Sequence, residues 1–399
     1  MSQPLSLTAP TATNPLASRT AATAVTLLFV VNGLLLGGYG GALPSLRAKL
    51  DIGANEIALA LFLAGAAAIT SMQIGGRLAD SLGARRVTLV GLPVLIAGAV
   101  TLGLAPTYVV AVVGAMLIGF GNGALDVAMN AIGVQVEAAR GRAIMSFFHA
   151  MWSVGNFLGA GTVLLLATVL GLTGGEVVTP LMLVLAGLAV LALVVLIRIT
   201  PRAAVVEHKV DGVRTAIPRA AWLLGIMALG FGLSEGTAVD WSSLHVTDVA
   251  QVDTETGSLG LVAVSGFMVL IRLLGDRLVT RFGRRAVVRF GGATAAIGYL
   301  TVTLVDTLPL LLVGWALVGF GVGMIAPQVY AVAGHIGGGR VLAVVVTFGY
   351  AAFLIGPALV GFLVAQVGIH HAMAVPAVLC VAIAALAATM PKQDADLHR

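Results

Sequence analysis

Apolar runs long enough to cross a bilayer as helices, about 20 residues each, follow one another along nearly all of this 399-residue chain. They fall at roughly 20–44, 55–75, 86–105, 108–130, 142–168, 178–198, 220–244, 256–275, 286–305, 309–333, 341–366 and 371–390. In hydrocarbon each backbone N–H and C=O must be satisfied inside the segment, so runs of this length have one answer, the α-helix. Composition agrees. Hydrophobic residues make up 59% of the chain and charged residues 10%, against about 25% charged in a soluble domain. The formal net charge of +5 would point to nucleic acid in a soluble protein. Here the cations sit in loops between apolar runs, so a lipid bilayer is expected as partner and nucleic acid is not. The single cysteine, Cys380, excludes an internal disulfide and a thiolate metal cluster. Residues 1–18 lack the basic start and cleavage site of a signal peptide and read as a disordered tail.

The chain repeats itself at an offset of 200. Gly75, Arg77, Leu78, Gly83 and Arg85 match Gly275, Arg277, Leu278, Gly283 and Arg285. VGAMLIGFGNG at 113–123 matches VGWALVGFGVG at 313–323. Duplicated membrane bundles are a transporter layout. The longest polar stretch, 199–219, holds two prolines and mixed charges and reads as a linker between bundles at 19–198 and 220–390, with a tail at 391–399.

Lys and Arg orient the spans. With the N-terminus inside, twenty of the 22 fall on the inner side, and Arg47 and Lys49 alone fall outside. Both termini are therefore expected in the cytoplasm, on a multi-pass protein of a bacterial inner membrane. Rows of glycine four apart (Gly33, Gly37 and Gly41; Gly119 and Gly123; Gly155 and Gly159) allow close helix packing, and equally a face on which helices slide.

The loop at 75–86 closely resembles the signature of the major facilitator superfamily, G-x-L-x-D-x-x-G-x-R-R, here Gly76, Leu78, Asp80, Gly83, Arg85 and Arg86. The resemblance implies an all-α membrane fold of twelve helices in two pseudo-symmetric six-helix bundles, and a loop that latches them on the cytoplasmic side. The second copy keeps Gly283 and Arg285 but has Thr280 in place of the aspartate. Gly83 suits a tight turn between helices. The run GFGNGALDVAMNA resembles the fucose-permease branch, in which a glycine-rich run leads to a carboxylate and then an asparagine, here Asp126 and Asn130. That branch also carries an aspartate four residues before a proline in the first span. Here the proline is Pro44 and the position is Gly40, which argues against fucose itself.

Ionisable groups within spans are costly and mark function. The third, sixth, ninth and twelfth spans hold no acid, His, Asn or Gln in their cores, as peripheral helices of that superfamily would. Asn32, Asn122, Asp126, Asn130, His149, Asn156, Glu235, Asp240 and Gln328 fall on the others. Asn122, Asp126 and Asn130 share one helix face. Asp126 and His149 lie equally far from the turn near 135–138, so they are placed at one depth, where they could relay a proton or simply tie two helices. Glu235, at mid-span, is the rival proton carrier. His149, Trp152 and Asn156 also share a face, suited to a polar, ring-shaped solute. Asp240 is placed at the outer mouth beside Trp241, a candidate interface anchor, and Arg272 reads as an orientation charge. Tyr350 stands nearly at the repeat position of His149, and Gln328 two past that of Asp126. The first bundle is thus expected to supply charge and the second neutral hydrogen bonds.

The expected function is secondary active transport of a small polar solute, sugar-like or an organic acid, by alternating access and proton-coupled symport, from a monomer. Efflux is the rival, disfavoured because the fourth span has no arginine and the fifth, with GNFLGAG at 155–161, no glycine-proline-glycine. No Walker loop appears, no catalytic constellation, and no metal or cofactor is expected. A pure sensor would need a signalling domain for which twelve spans leave no room.

Overall fold

The computed structural model describes residues 14–141, 144–202 and 217–390, apart from a few side chains. The linker expected at 199–219 and both tails therefore fall largely outside the described residues. The described chain forms α1 (Arg19–Gly41), α2 (Leu43–Leu50), α3 (Ala54–Leu82), α4 (Ala84–Gly103), α5 (Tyr108–Arg140), α6 (Met145–Leu170), α7 (Val178–Ile199), α8 (Arg219–Ala250), α9 (Thr254–Gly257), α10 (Leu259–Phe282), α11 (Arg284–Leu304), α12 (Leu308–Val322), α13 (Ile325–Ala372) and α14 (Ala374–Leu386). Among the described residues, 11 helical segments are long and apolar enough to cross a membrane, and the shorter Ala374–Thr389 completes the expected twelve.

Local chemistry sets the helix ends. Ser18 caps α1, its side chain accepting from Ala21 N at 3.1 Å. Gly83 and Gly283 turn α3 into α4 and α10 into α11 with φ of 88° and 79°, a region that glycine enters without steric cost. The duplication is written in the backbone elsewhere too. Asp51 and Gln251, 200 positions apart, are the non-glycine residues with positive φ among the described residues, both at 52°.

The glycine rows serve close packing. Gly33 and Gly37 of α1 press on the backbone of Trp152 and Asn156 in α6, while Gly155 and Gly159 press back on Val30 and Leu34. A Cβ at any of these positions would collide with main chain. The helix expected at the periphery of the first bundle, α7, presents Leu188, Leu191 and Val194 outward, Leu191 at 66% exposure, as a lipid-facing surface requires.

The tenth and eleventh spans depart from expectation. A gap at 334–340 was expected between them, yet α13 continues through it for 48 residues. A straight helix of that length would measure about 72 Å, and would hold residues 330 and 349 about 28 Å apart. Instead the Tyr330 hydroxyl lies against Gly349, so the two arms of this stretch pack side by side, as the tenth and eleventh spans of the sequence.

The bundles meet through α3 with α13, α6 with α10, and α1 with α8 and α10. At the end opposite the signature loops, here the far end, several bonds join them. Arg47 donates both guanidinium nitrogens to Asp248, Gly174 N–H donates to Glu255, and Ser45 bonds Thr254 at 3.2 Å. Gly361 packs on Ala58 at the same end. Asp248 and its hydrogen bonds push the Arg47 pKa above its ordinary value. At the signature end, Arg85 instead bonds within its own bundle, to Thr200 O at 2.9 Å and Ile197 O at 2.6 Å, and Asp80 and Arg86 are exposed. Among the described residues no hydrogen bond or ion pair of Asp80, Arg85 or Arg86 crosses between the bundles, whereas several bonds do so at the far end.

Candidate functional site

At mid-height the bundles are joined by one buried cation. Arg272 of α10 is 8% exposed. It donates to Glu235 Oε1 of α8 at 3.0 Å, to Ser153 Oγ of α6 at 2.6 Å, to His149 O at 3.4 Å and to Gly323 O at 3.1 Å. Its guanidinium lies 6.0 Å from the centre of the Trp152 ring. A charge removed from water is tolerated only when paired and fully hydrogen-bonded, and four donors of this fork are used.

The Gly323 carbonyl is available for a local reason. In an unbroken helix it would accept from the residue four positions on, and that residue is Pro327, which has no N–H. The helix breaks there, between α12 and α13. In the first half the corresponding stretch has Val127, and α5 runs through without a break. From the sequence Arg272 reads as an orientation charge; the structure corrects this, because its partners come from three elements, α6, α8 and the break between α12 and α13.

From Trp152 the polar chain enters the first bundle. Its indole N–H donates to Asn32 Oδ1 at 2.8 Å, and Asn32 Nδ2 donates to Asn122 Oδ1 at 2.7 Å. Below Asn122 on the same face come Asp126 and Asn130, all three half-buried. Asn130 Nδ2 donates to the Asp126 backbone carbonyl at 2.9 Å and to its carboxylate at 3.1 Å. Tyr330 of α13 is half-buried, and its hydroxyl lies against Gly349. Tyr330 escaped the sequence reading, although it stands at the repeat position of Asn130.

Other expected site residues are placed differently. Asp126 and His149 are not hydrogen-bonded to each other; the imidazole sits edge-on to Phe29, ring centres 5.2 Å apart. Asn156 is 1% exposed and accepts from Ser265 Oγ at 2.7 Å, tying α6 to α10 rather than facing open space. Gln328 is buried and accepts from Arg284 at 2.9 Å, anchoring the second signature loop. Asp240 is half-buried. Its neighbour Trp241 is wholly buried beside Gly361, so it is no interface anchor. The Tyr350 side chain lies outside the described residues. The expected division of labour is also revised, since the buried ion pair belongs to the second bundle and the amide chain to the first. His245, fully buried and edge-on to Trp315 and His370, was not singled out by the sequence. Among the described residues no cluster of three or more potential metal ligands occurs.

Two helical bundles in lipid, meeting around a buried charge and a half-open polar stripe, define a membrane transporter rather than an enzyme. The model of the Major Facilitator Superfamily matches residues 25–279 and 247–397. The uncharacterized transporter y4wD of Sinorhizobium fredii is 34% identical over 350 residues, covering 84% of this chain and 89% of that protein. The chain belongs to the major facilitator superfamily. In fold it is similar to the nucleoside transporter NupG (TM-score 0.71, 14% identity, 94% of this chain and 98% of that one). It is similar also to a bacterial homolog of the human lysosomal transporter Spinster in an inward-facing, occupied conformation (TM-score 0.68, 14% identity, 93% and 97%).

Proposed function

We propose that this protein is a proton-coupled symporter that imports a small polar solute by alternating access, with both termini in the cytoplasm and the far end outward. The observation that carries the reading is the continuous polar chain Asn122–Asn32–Trp152–Arg272–Glu235. It runs across both bundles at mid-height, where solute sites of such transporters lie. Fastening at the far end, with the signature loop bonded within its own bundle, supports an inward-facing state. In the outward-facing state Asp80 and its arginines would close the cytoplasmic side. Protonation of a membrane acid biases the exchange between these forms, because a group that is charged in one state and neutral in the other binds the two with different free energy. We assign this role to Asp126 or to Glu235.

The test is flux into proteoliposomes, preceded by a thermal-shift screen of sugars, polyols and organic acids on the purified chain. Uptake of a hit should rise severalfold when the outside is made acidic. In Asp126→Asn, uphill accumulation should fall far more than exchange does. Unchanged uphill uptake in that variant would make Asp126 structural, and uptake indifferent to pH would remove proton coupling.

A further inference from the structure

We propose that Arg272 is the docking point for the carboxylate of an organic-acid solute, and that Glu235 is the internal counter-ion which that carboxylate replaces once Glu235 is protonated. The inference rests on the transport reading above and narrows its solute.

The geometry carries it. The pair is placed where the bundles meet, and Arg272 holds both sides together: Ser153 and the His149 carbonyl on one, Gly323 and Glu235 on the other. Three of these contacts are with neutral groups that fix the guanidinium in place. They cannot change charge, so they serve as a cradle. The fourth, Glu235, can change charge and is the partner that can let go. The planar guanidinium fork matches a carboxylate, and the face of Trp152 beside it offers an aromatic wall for the carbon skeleton of a small acid. The amide chain through Asn32 and Asn122 supplies acceptors and donors for hydroxyl groups further along.

Charge is conserved throughout. At rest the site holds Arg272 positive and Glu235 negative, net zero. A proton from the outer water adds to a carboxylate oxygen of Glu235, the ion pair opens, and the solute carboxylate takes its place on Arg272, net zero again. On the inner side the solute departs, the proton leaves Glu235 for water, and the original pair closes. One proton accompanies one monoanion, and no net charge crosses the membrane. Arg272 from α10 pairs with Glu235, and the Tyr299 hydroxyl of α11 and the Cys380 thiol of α14 bond the neighbouring Ser234. Arg272 is the charged partner for which a solute carboxylate competes with Glu235.

The experiment uses the full chain in proteoliposomes with labelled lactate, gluconate and glucuronate against glucose and myo-inositol. The expected result is uptake of a carboxylate driven by an acid-outside gradient and changed less than twofold by an imposed potassium–valinomycin potential. Glu235→Gln should lose uphill accumulation more than tenfold while exchange persists. Arg272→Gln alone leaves Glu235 unpaired and can unfold the protein. The double variant Arg272→Gln with Glu235→Gln keeps the site neutral and should fold, yet lose carboxylate binding more than tenfold. Uptake of the neutral solutes with the acids inert, a strong response to potential, or full carboxylate binding in the double variant would each overturn the inference while leaving the transport reading intact. Absence of flux for all five solutes in the folded protein would overturn both.

Discussion

Arg272 donates its Nε to the carbonyl of Gly323, a carbonyl left without its helical partner because Pro327 stands four residues on. A proline that costs one main-chain bond thus supplies the acceptor that holds a buried cation in place. A hydrogen bond to a charged group is worth about 1.5–3 kcal/mol. Pro327→Ala restores the competing N–H, and should weaken solute binding by up to about tenfold with little loss of folded protein. Binding curves on wild type and variant check this, and equal affinities would show that the break does not matter to Arg272.

The Glu235–Arg272 pair also bears on stability. Removing one partner of a buried ion pair leaves the other charge uncompensated and costs about 3–5 kcal/mol. Arg272→Gln and Glu235→Leu should therefore both melt well below wild type in detergent. The double replacement Arg272→Gln with Glu235→Gln should recover much of the loss. Additive losses in the double variant would mean that the two side chains do not depend on each other.

Gly37 faces the backbone of Asn156 with no room for a side chain. Overpacking a close-packed site costs about 1–3 kcal/mol, and here the obstructing atoms are main chain. Gly37→Val should lower the yield of folded protein sharply, whereas Gly161→Val, at a position with open space around it, should be tolerated. Size-exclusion profiles after membrane extraction compare the two. Equal yields would restore the view that the α1 glycines provide a sliding face.

At the far end, Arg47 and Asp248 are both partly exposed, at 24% and 31% of their side chains. Pairs of this kind contribute roughly 0.2–1 kcal/mol. Asp248→Asn should shift the balance toward the far-end-open form by up to about fivefold rather than abolish transport. Spin-label distances between α2 and the start of α9 would report the shift, and an unchanged distribution would assign the closure to the packing of Gly361 on Ala58 instead.

The twelve spans, their pairing into halves and the turns at Gly83 and Gly283 were legible in the sequence, because length in hydrocarbon and freedom at positive φ are local properties. So was the crowding of polar groups on central helices. The partnership of Arg272 with Glu235 was not. The two are 37 residues apart on separate helices, and periodicity says which face a residue occupies, not which neighbour that face meets. For the same reason Asp126 and His149, matched in depth along the chain, prove to be turned toward Asn130 and Phe29. Gln328 and Asn156 are amides of the kind that line sites, yet each is spent on joining elements. Tyr330 shows a signal that was present and unused, since the 200-residue offset places it opposite Asn130.

The break at Gly323 has no counterpart in the first half, where α5 passes the matching position intact. Twin halves therefore enclose an asymmetric interior: one wall offers a fixed positive charge, the other a ladder of amides. On the docking proposed above, a guest with a single charged end would lodge there in one sense, head toward Arg272 and tail toward Asn122.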